Sequence, residues 1–170
     1  MKSLYLFILF FLLNVGFVCA QHDHDDHHHG RNEIGVSTGA LYGFDDDVWG
    51  PGIHIHYLRS LGDHSKWALG GFIEQAWLDH SHFTVGVGAK YEIIDKLNLG
   101  LFPGVSFAKH HHDDGHGHHS DKTKTEFSVH TEVVYDLFEW NKFHMGPAFD
   151  FSWSKNDSHS MLGIHVAYCF

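Results

Sequence analysis

Apolar residues recur at every second position from Glu33 to the end of the chain, in eight separate runs. In the clearest run, Phe83 to Ile93, the odd-numbered residues are Phe, Val, Val, Ala, Tyr and Ile, and Thr, Gly, Gly, Lys and Glu stand between them. A period of two is typical of a β-strand with two different faces, and helical spacing fits none of the runs. The pattern therefore predicts an all-β chain of eight strands.

The two faces of these strands differ in composition. One face is almost wholly aliphatic or aromatic, whereas the other is rich in Gly, Ala and Ser and poor in Lys. Small side chains suit the crowded interior of a narrow barrel, and a continuous apolar exterior suits lipid. No stretch after residue 20 approaches the roughly 20 apolar residues of a spanning helix, so a membrane form must be a closed barrel. We predict an eight-stranded antiparallel up-and-down transmembrane β-barrel in preference to a soluble one.

Aromatic residues cluster at both ends of the predicted strands. Trp67, Tyr91 and Tyr168 fall at one set of ends, and Tyr42 and Trp77 fall at the other. The general preference of strands for aromatic residues would not predict this clustering, whereas the two interfaces of a membrane select it. The clustering therefore favours the membrane barrel.

The first twenty residues have the features of a secretory signal peptide. Lys2 gives a short positive start, residues 4–18 form a nearly unbroken apolar run, and Ala20 ends a stretch suited to cleavage. Cys19 raises the question of lipid attachment, but the residues before it fit such a motif poorly. Cleavage after Ala20 would leave Cys169 as the one cysteine, so we expect no internal disulfide.

The connections between the predicted strands differ in length. Those at 95–96 and 139–142 are short, and the longest connection runs over 109–124. Short periplasmic turns and longer outer loops are usual in such barrels, and an even number of strands puts both chain ends in the periplasm. Pro103 and Pro147 fall in mid-strand, where each removes a backbone donor, so we expect a bulge or a kink at both.

The alternation over Glu33 to Phe170 resembles that of the small eight-stranded outer-membrane barrels, such as the OmpA membrane domain and OmpX. The ending Tyr168-Cys169-Phe170 resembles the aromatic signal by which the barrel-assembly machinery recognises such chains. The resemblance implies the outer membrane of a Gram-negative-type bacterium, with its lipid and that machinery as partners, and we expect a monomer. No motif selects one family within this architecture, so no family function is carried to particular residues. The formal net charge of −10 argues against nucleic acid as a partner.

These features divide the chain into three parts. We expect a signal peptide at 1–20, a periplasmic tail rich in His and Asp at 21–32, and the outer-membrane barrel at 33–170. The connection at 109–124 is then a His-rich outer loop.

Eleven of the 20 histidines lie in two dense tracts, one at 22–29 and one at 110–119. Interleaved Asp residues and the internal position of the second tract distinguish both from an affinity tag. Imidazole and carboxylate groups on a flexible backbone can wrap Zn²⁺, Ni²⁺ or Cu²⁺, with moderate affinity and low selectivity. Protonation of these histidines near pH ~6.5 would make the tracts cationic, so a pH response is an alternative. The candidate metal ligands are His22, His24, His27, His28, His29, His110, His111, His112, His116, His118 and His119.

A second, sparser set of polar residues should face the lumen, where an eight-stranded barrel is just filled by side chains and a wide pore is not expected. Buried charges need partners, so a hydrogen-bonded network is one interpretation, and an internal metal site is the other. The predicted lumen residues are His54, His56, Glu74, Lys90, Glu92, His130, Glu132, Asp136, His144, Asp150 and His165.

Three functions are compatible with this pattern. The first is a metal-binding outer-membrane protein active in metal capture or homeostasis, and the second is a structural or adhesive envelope barrel in which the histidines have no metal role. The third is a lipid-modifying enzyme. Ser128, His130 and Glu132 share one face, but their spacing spreads them along a strand and their parity puts them in the lumen, so we expect no enzyme.

Overall fold

The computed structural model of the protein describes residues 32–62, 65–79, 81–113 and 119–170, with 109–113 and 119–122 described by their backbone alone. The expected signal peptide and nearly all of the expected tail lie outside these residues. Among the described residues, no helix has the length and apolarity to cross a bilayer. The strands are β1 Asn32–Gly43, β2 Val48–Ser60, β3 Trp67–Trp77, β4 Ser81–Ile94, β5 Leu97–Asp113, β6 His119–Tyr135, β7 Phe138–Trp140, β8 Phe143–Ser154 and β9 Ser158–Cys169.

The strands form a closed antiparallel barrel. Each of β1 to β5 pairs with the next, β9 pairs with both β8 and β1, and β6 pairs with β8 to close the ring. The three-residue β7 continues the line of β6 along β8, so β6 and β7 count as one strand of an eight-stranded barrel. The predicted fold is confirmed.

The two ends of the described chain meet at one rim, which we call the terminal rim. There the backbone N–H groups of Asn32 and Phe170 each donate to the other residue's carbonyl, at 3.0 and 2.8 Å. This rim also carries the connections at 61–66, 95–96 and 141–142. The opposite rim, which we call the hairpin rim, carries the four connections between β1 and β2, β3 and β4, β5 and β6, and β8 and β9.

The β5–β6 hairpin extends beyond the rest of the barrel. β4 pairs with β5 as far as Ala108, and β8 pairs with β6 from Ser128, whereas β5 and β6 continue to pair with each other up to Asp113 and His119. Most of the expected loop at 109–124 is therefore antiparallel ribbon. The other connections at the hairpin rim have three or four residues, so the expected excess of outer-loop length is confined to this hairpin.

Side chains alternate between lipid and lumen with the predicted parity. On β8 every odd-numbered residue from Phe143 to Trp153 is exposed and every even-numbered residue is buried. Aromatic rings pair across strands at both rims, with centroids 4.6 Å apart for Trp67 and Tyr91 and 5.0 Å apart for Tyr42 and Trp49. The exterior is thus an apolar band between two aromatic belts, as lipid contact requires.

The two mid-strand prolines have different effects. Opposite Pro147 the register between β8 and its neighbour shifts by one residue, from Val134 paired with Ala148 to Phe138 paired with Met145. A bulge is therefore confirmed there, because Pro147 has no N–H to continue the ladder. At Pro103 the ladder to β4 is interrupted but the register is the same on both sides, so of the expected bulge or kink there is no bulge at this position.

Candidate metal site in the barrel lumen

The register of the sheet brings histidines and carboxylates from most of the strands into one column inside the barrel. His54 on β2 is opposite Glu74 on β3, and Glu132 on β6 is opposite Asp150 on β8. The predicted lumen residues all point inward, and Lys90, Glu92 and Asp136 line a cavity at the terminal rim. His54, His56, Glu74, His130, Glu132, His144, Asp150 and His165 are buried.

Glu74 is the centre of the half of the column nearer the hairpin rim. Its Oε2 atom lies 2.8 Å from His130 Nδ1, and its Oε1 atom accepts a 3.1 Å hydrogen bond from His159 Nε2. The other ring nitrogen of His130 lies 3.4 Å from Asp150 Oδ1. One carboxylate therefore orients two imidazoles from different strands.

Glu132 has the same role nearer the terminal rim. Ser37 donates a 2.7 Å hydrogen bond to Glu132 Oε1, and His56 Nδ1 and His165 Nδ1 each lie 3.6 Å from a carboxylate oxygen of Glu132. The ring nitrogens of His54 and His56 approach to 3.3 Å.

Aromatic rings hold these imidazoles in place. His54 stacks on His130 at a centroid distance of 4.5 Å and on Phe72 at 5.3 Å, and Phe102 contacts the same cluster. Phe102, Phe72 and Leu58 are almost fully buried and fill the lumen at this level. Close packing limits the rotamers that each imidazole can adopt, so the column is preorganised.

Three groups in the column have ligand atoms within 4.8 Å of one another, which is the first requirement of a metal site. A Zn²⁺ ion bound tetrahedrally at about 2.0–2.1 Å sets its ligand atoms roughly 3.3 Å apart. The separations of 2.9 Å between His56 Nε2 and Glu33 Oε1, and of 3.6 Å between His56 Nδ1 and Glu132 Oε2, lie on either side of that value. The groups are Glu33, His56, His165; His54, His56, Glu132; and His54, Glu74, His130.

Several members of the column are not among the predicted lumen residues. His159 and His82 are buried, and each lies close to Asp157, at 3.2 and 3.3 Å. Burial alone would raise the pKa of the Asp157 carboxyl, but the hydrogen bond from His159 and the nearby His82 outweigh it and hold that pKa below its usual value. Both histidines have the lumen-facing parity of their strands, but they lie before the residues at which those strands were predicted to begin. Glu33 lies at the start of β1 and lines the cavity at the terminal rim, on the same face of the strand as Gly35 and Ser37.

The predicted ligands in the His-rich tracts stay a prediction. His22, His24, His27, His28, His29, His116 and His118 lie outside the described residues. His110, His111 and His112 are on β5 and His119 is on β6, in the protruding part of the hairpin.

Ser128, His130 and Glu132 are all fully buried on the lumen face of β6. His130 is directed to Glu74 and Asp150, and Glu132 is directed to Ser37, His56 and His165. His130 and Glu132 are thus members of the column, and each is directed to a different set of partners.

The closed barrel and its apolar exterior define the class of the protein as an eight-stranded transmembrane β-barrel of the outer-membrane type. Barrels of this type lie in the outer membrane of Gram-negative-type bacteria, which is the location predicted from the sequence.

The chain matches no protein-family model and no curated protein. Its fold is similar to that of Ail, the attachment invasion locus protein of Yersinia pestis, solved in complex with the heparin analogue sucrose octasulfate (TM-score 0.62, 15% identity, 84% of this chain and 99% of Ail covered). It is also similar to Neisserial surface protein A (0.57, 13%, 83% and 98%). A third similar structure is the N-terminal barrel domain of Pseudomonas aeruginosa OprF (0.54, 11%, 84% and 99%). At these identities the likeness shows the fold alone.

Proposed function

We propose that this outer-membrane barrel binds divalent transition metal ions, Zn²⁺, Ni²⁺ or Cu²⁺, inside its lumen, with the two His-rich tracts as further donors. The observation that carries the proposal is the set of three overlapping His and carboxylate groups. Imidazole nitrogen and carboxylate oxygen are the ligand types that these ions take in proteins. The first and third groups share no residue, so two ions bound there would not compete for a ligand.

A buried nitrogen without a partner supports metal binding over a network that only fills space. His54 Nδ1 is inaccessible to solvent and has no hydrogen-bond partner among the described residues. In a purely structural network such an atom is a cost of about 1–3 kcal/mol, and buried polar groups are rarely left in this state. An ion held between His54 and its neighbours would satisfy the imidazole.

The tracts extend this proposal to both sides of the membrane. The tract at 110–119 would collect metal at the outer surface, and the tract at 22–29 would hold it on the periplasmic side. Such a protein serves metal capture or homeostasis and needs no enzymatic step.

Calorimetric titration with Zn²⁺, Ni²⁺ and Cu²⁺ tests the proposal on the refolded full-length chain. The background variant carries His→Asn at all eleven tract positions, so only the lumen contributes. We expect it to retain saturable binding of up to two ions, with a dissociation constant on the order of micromolar or tighter. Adding His54→Phe and His56→Phe, which together disrupt all three groups, should abolish that binding.

His144→Phe is the matched control, because His144 also faces the lumen but belongs to none of the three groups. It should leave the stoichiometry unchanged, and altered mobility on unheated gels should verify that every variant is folded. The proposal is wrong if the background variant takes up no metal, or if the His54 and His56 changes do not affect its uptake. No binding by the unaltered chain would favour the structural or adhesive envelope barrel.

A further inference from the structure

The lumen opens at the terminal rim into a cavity of about 410 Å³, which we call the vestibule. Its described lining carries five carboxylates against three lysines, so at neutral pH the vestibule attracts cations. The carboxylates are Glu33, Glu92, Asp95, Asp136 and Glu139, and the lysines are Lys66, Lys90 and Lys96.

The floor of the vestibule is one of the three metal-ligand groups. Glu33, His56 and His165 all line the cavity, whereas His54, Glu74 and His130 do not. An ion from water at this rim therefore meets the Glu33 group before any other. The two imidazoles stack with centroids 5.3 Å apart, and Glu33 Oε1 lies 2.9 Å from His56 Nε2.

Gly35 provides the space in which these side chains meet. A Cβ atom at this position would lie 2.3 Å from His56 Nε2 and 2.6 Å from His165 Cε1, well inside contact distance. Gly35 lies on the lumen face of β1, beside His56 Nε2, the ring nitrogen that contacts Glu33. A side chain here would occupy the volume between the imidazoles.

Lys90 already places a positive charge at this floor. Its ammonium group pairs with both carboxylate oxygens of Glu33, and its side chain is only 15% exposed. Glu33 is thus shared between an imidazole and an ammonium, so a metal ion that takes Glu33 as a ligand competes with Lys90 for that carboxylate.

We propose that the vestibule floor, formed by Glu33, His56 and His165, is the divalent-metal site through which the lumen exchanges metal with the terminal rim, and that the Lys90 ammonium is a tethered competitor for it. The inference rests on the proposed function. It adds the residues at which a metal ion first binds and the rim from which the ion enters the lumen. Lys90 keeps the Glu33 carboxylate paired when no metal is bound and lowers the affinity of the site for metal. With an even number of strands, both chain ends are expected in the periplasm, so this rim is expected to face the periplasm.

Zn²⁺ titration of the tract-substituted full-length chain tests the proposal, with Co²⁺ absorption as an independent report on coordination. Lys90→Met removes the competing charge and keeps the chain length, and it should tighten Zn²⁺ binding at least tenfold. Glu33→Gln and Gly35→Ala should each remove one bound ion. If Gly35→Ala does not fold, Glu33→Gln still decides the outcome.

Lys96→Met is the matched control, because Lys96 also lines the vestibule but pairs with Glu139, at 4.0 Å. It should change Zn²⁺ affinity less than twofold. If the tract-substituted chain binds Zn²⁺ but neither Lys90→Met nor Glu33→Gln alters binding, this inference is overturned while the proposed function stands. If the chain binds no Zn²⁺, both are overturned.

Discussion

Replacing Glu74 by alanine is expected to lower the free energy of unfolding of the metal-free barrel by about 3–5 kcal/mol, the usual cost of removing one partner from a buried ion pair. The carboxylate is almost fully buried and serves His130 at 2.8 Å and His159 at 3.1 Å. Its removal leaves two imidazoles without that partner in a tightly packed lumen. Urea unfolding in lipid vesicles, followed by tryptophan fluorescence and with a chelator present, measures the change.

Two further variants serve as comparisons for Glu74→Ala. Glu74→Gln keeps the shape and one acceptor oxygen, so it should lose clearly less stability than the alanine variant. Glu139→Ala breaks the partly exposed 4.0 Å contact with Lys96, and such pairs contribute roughly 0–1 kcal/mol. Equal stabilities for Glu74→Ala and Glu139→Ala would contradict the described column.

The second large effect is expected at Gly146, which faces the bulge between β6 and β7. An added Cβ would lie 1.8 Å from the carbonyl oxygen of Tyr135 and 2.8 Å from the amide nitrogen of Leu137. Both atoms are backbone, so neither can move aside as a flexible side chain would. Gly146→Ala should therefore cost about 3 kcal/mol or more, at or beyond the upper end of ordinary overpacking.

The measurement is the folded fraction after refolding into detergent, read from mobility on unheated gels. Gly62→Ala is the control, since among the described residues beyond its chain neighbours the nearest atom to an added Cβ is Ser65 Cβ, at 3.8 Å, which leaves room for a methyl group. A Gly146→Ala barrel that refolds as completely as Gly62→Ala and unfolds at the same urea concentration would show that the bulge lies elsewhere.

The period of two was sufficient to predict the fold and the direction of the side chains. Because lipid and a crowded lumen demand opposite residue types, each strand carries its orientation in its own sequence. His54, Glu74, His130 and His165 could thus be placed in the lumen without knowledge of the register. Strand ends were harder to predict, since His82 and His159 stand where the apolar alternation fades.

Which residues form the three metal-ligand groups could not be predicted from the sequence, because the groups depend on contacts across the barrel. His54 on β2 stacks on His130, which is 76 positions away on β6, and no local pattern encodes that approach. Gly35 appeared only as one of many small lumen residues, and its role follows from the two imidazoles above it. The histidine tracts can be recognised in the sequence by their density. The histidines of the lumen are scattered along the sequence, and only the fold brings them together.

Anomalous X-ray diffraction at the zinc edge, from crystals of the zinc-loaded full-length protein, tests most directly whether metal binds inside the barrel. We expect at least one strong anomalous peak within the lumen, between Glu33, His56 and His165 or between His54, Glu74 and His130. Peaks confined to the histidine tracts, with none in the lumen of the loaded protein, would contradict it.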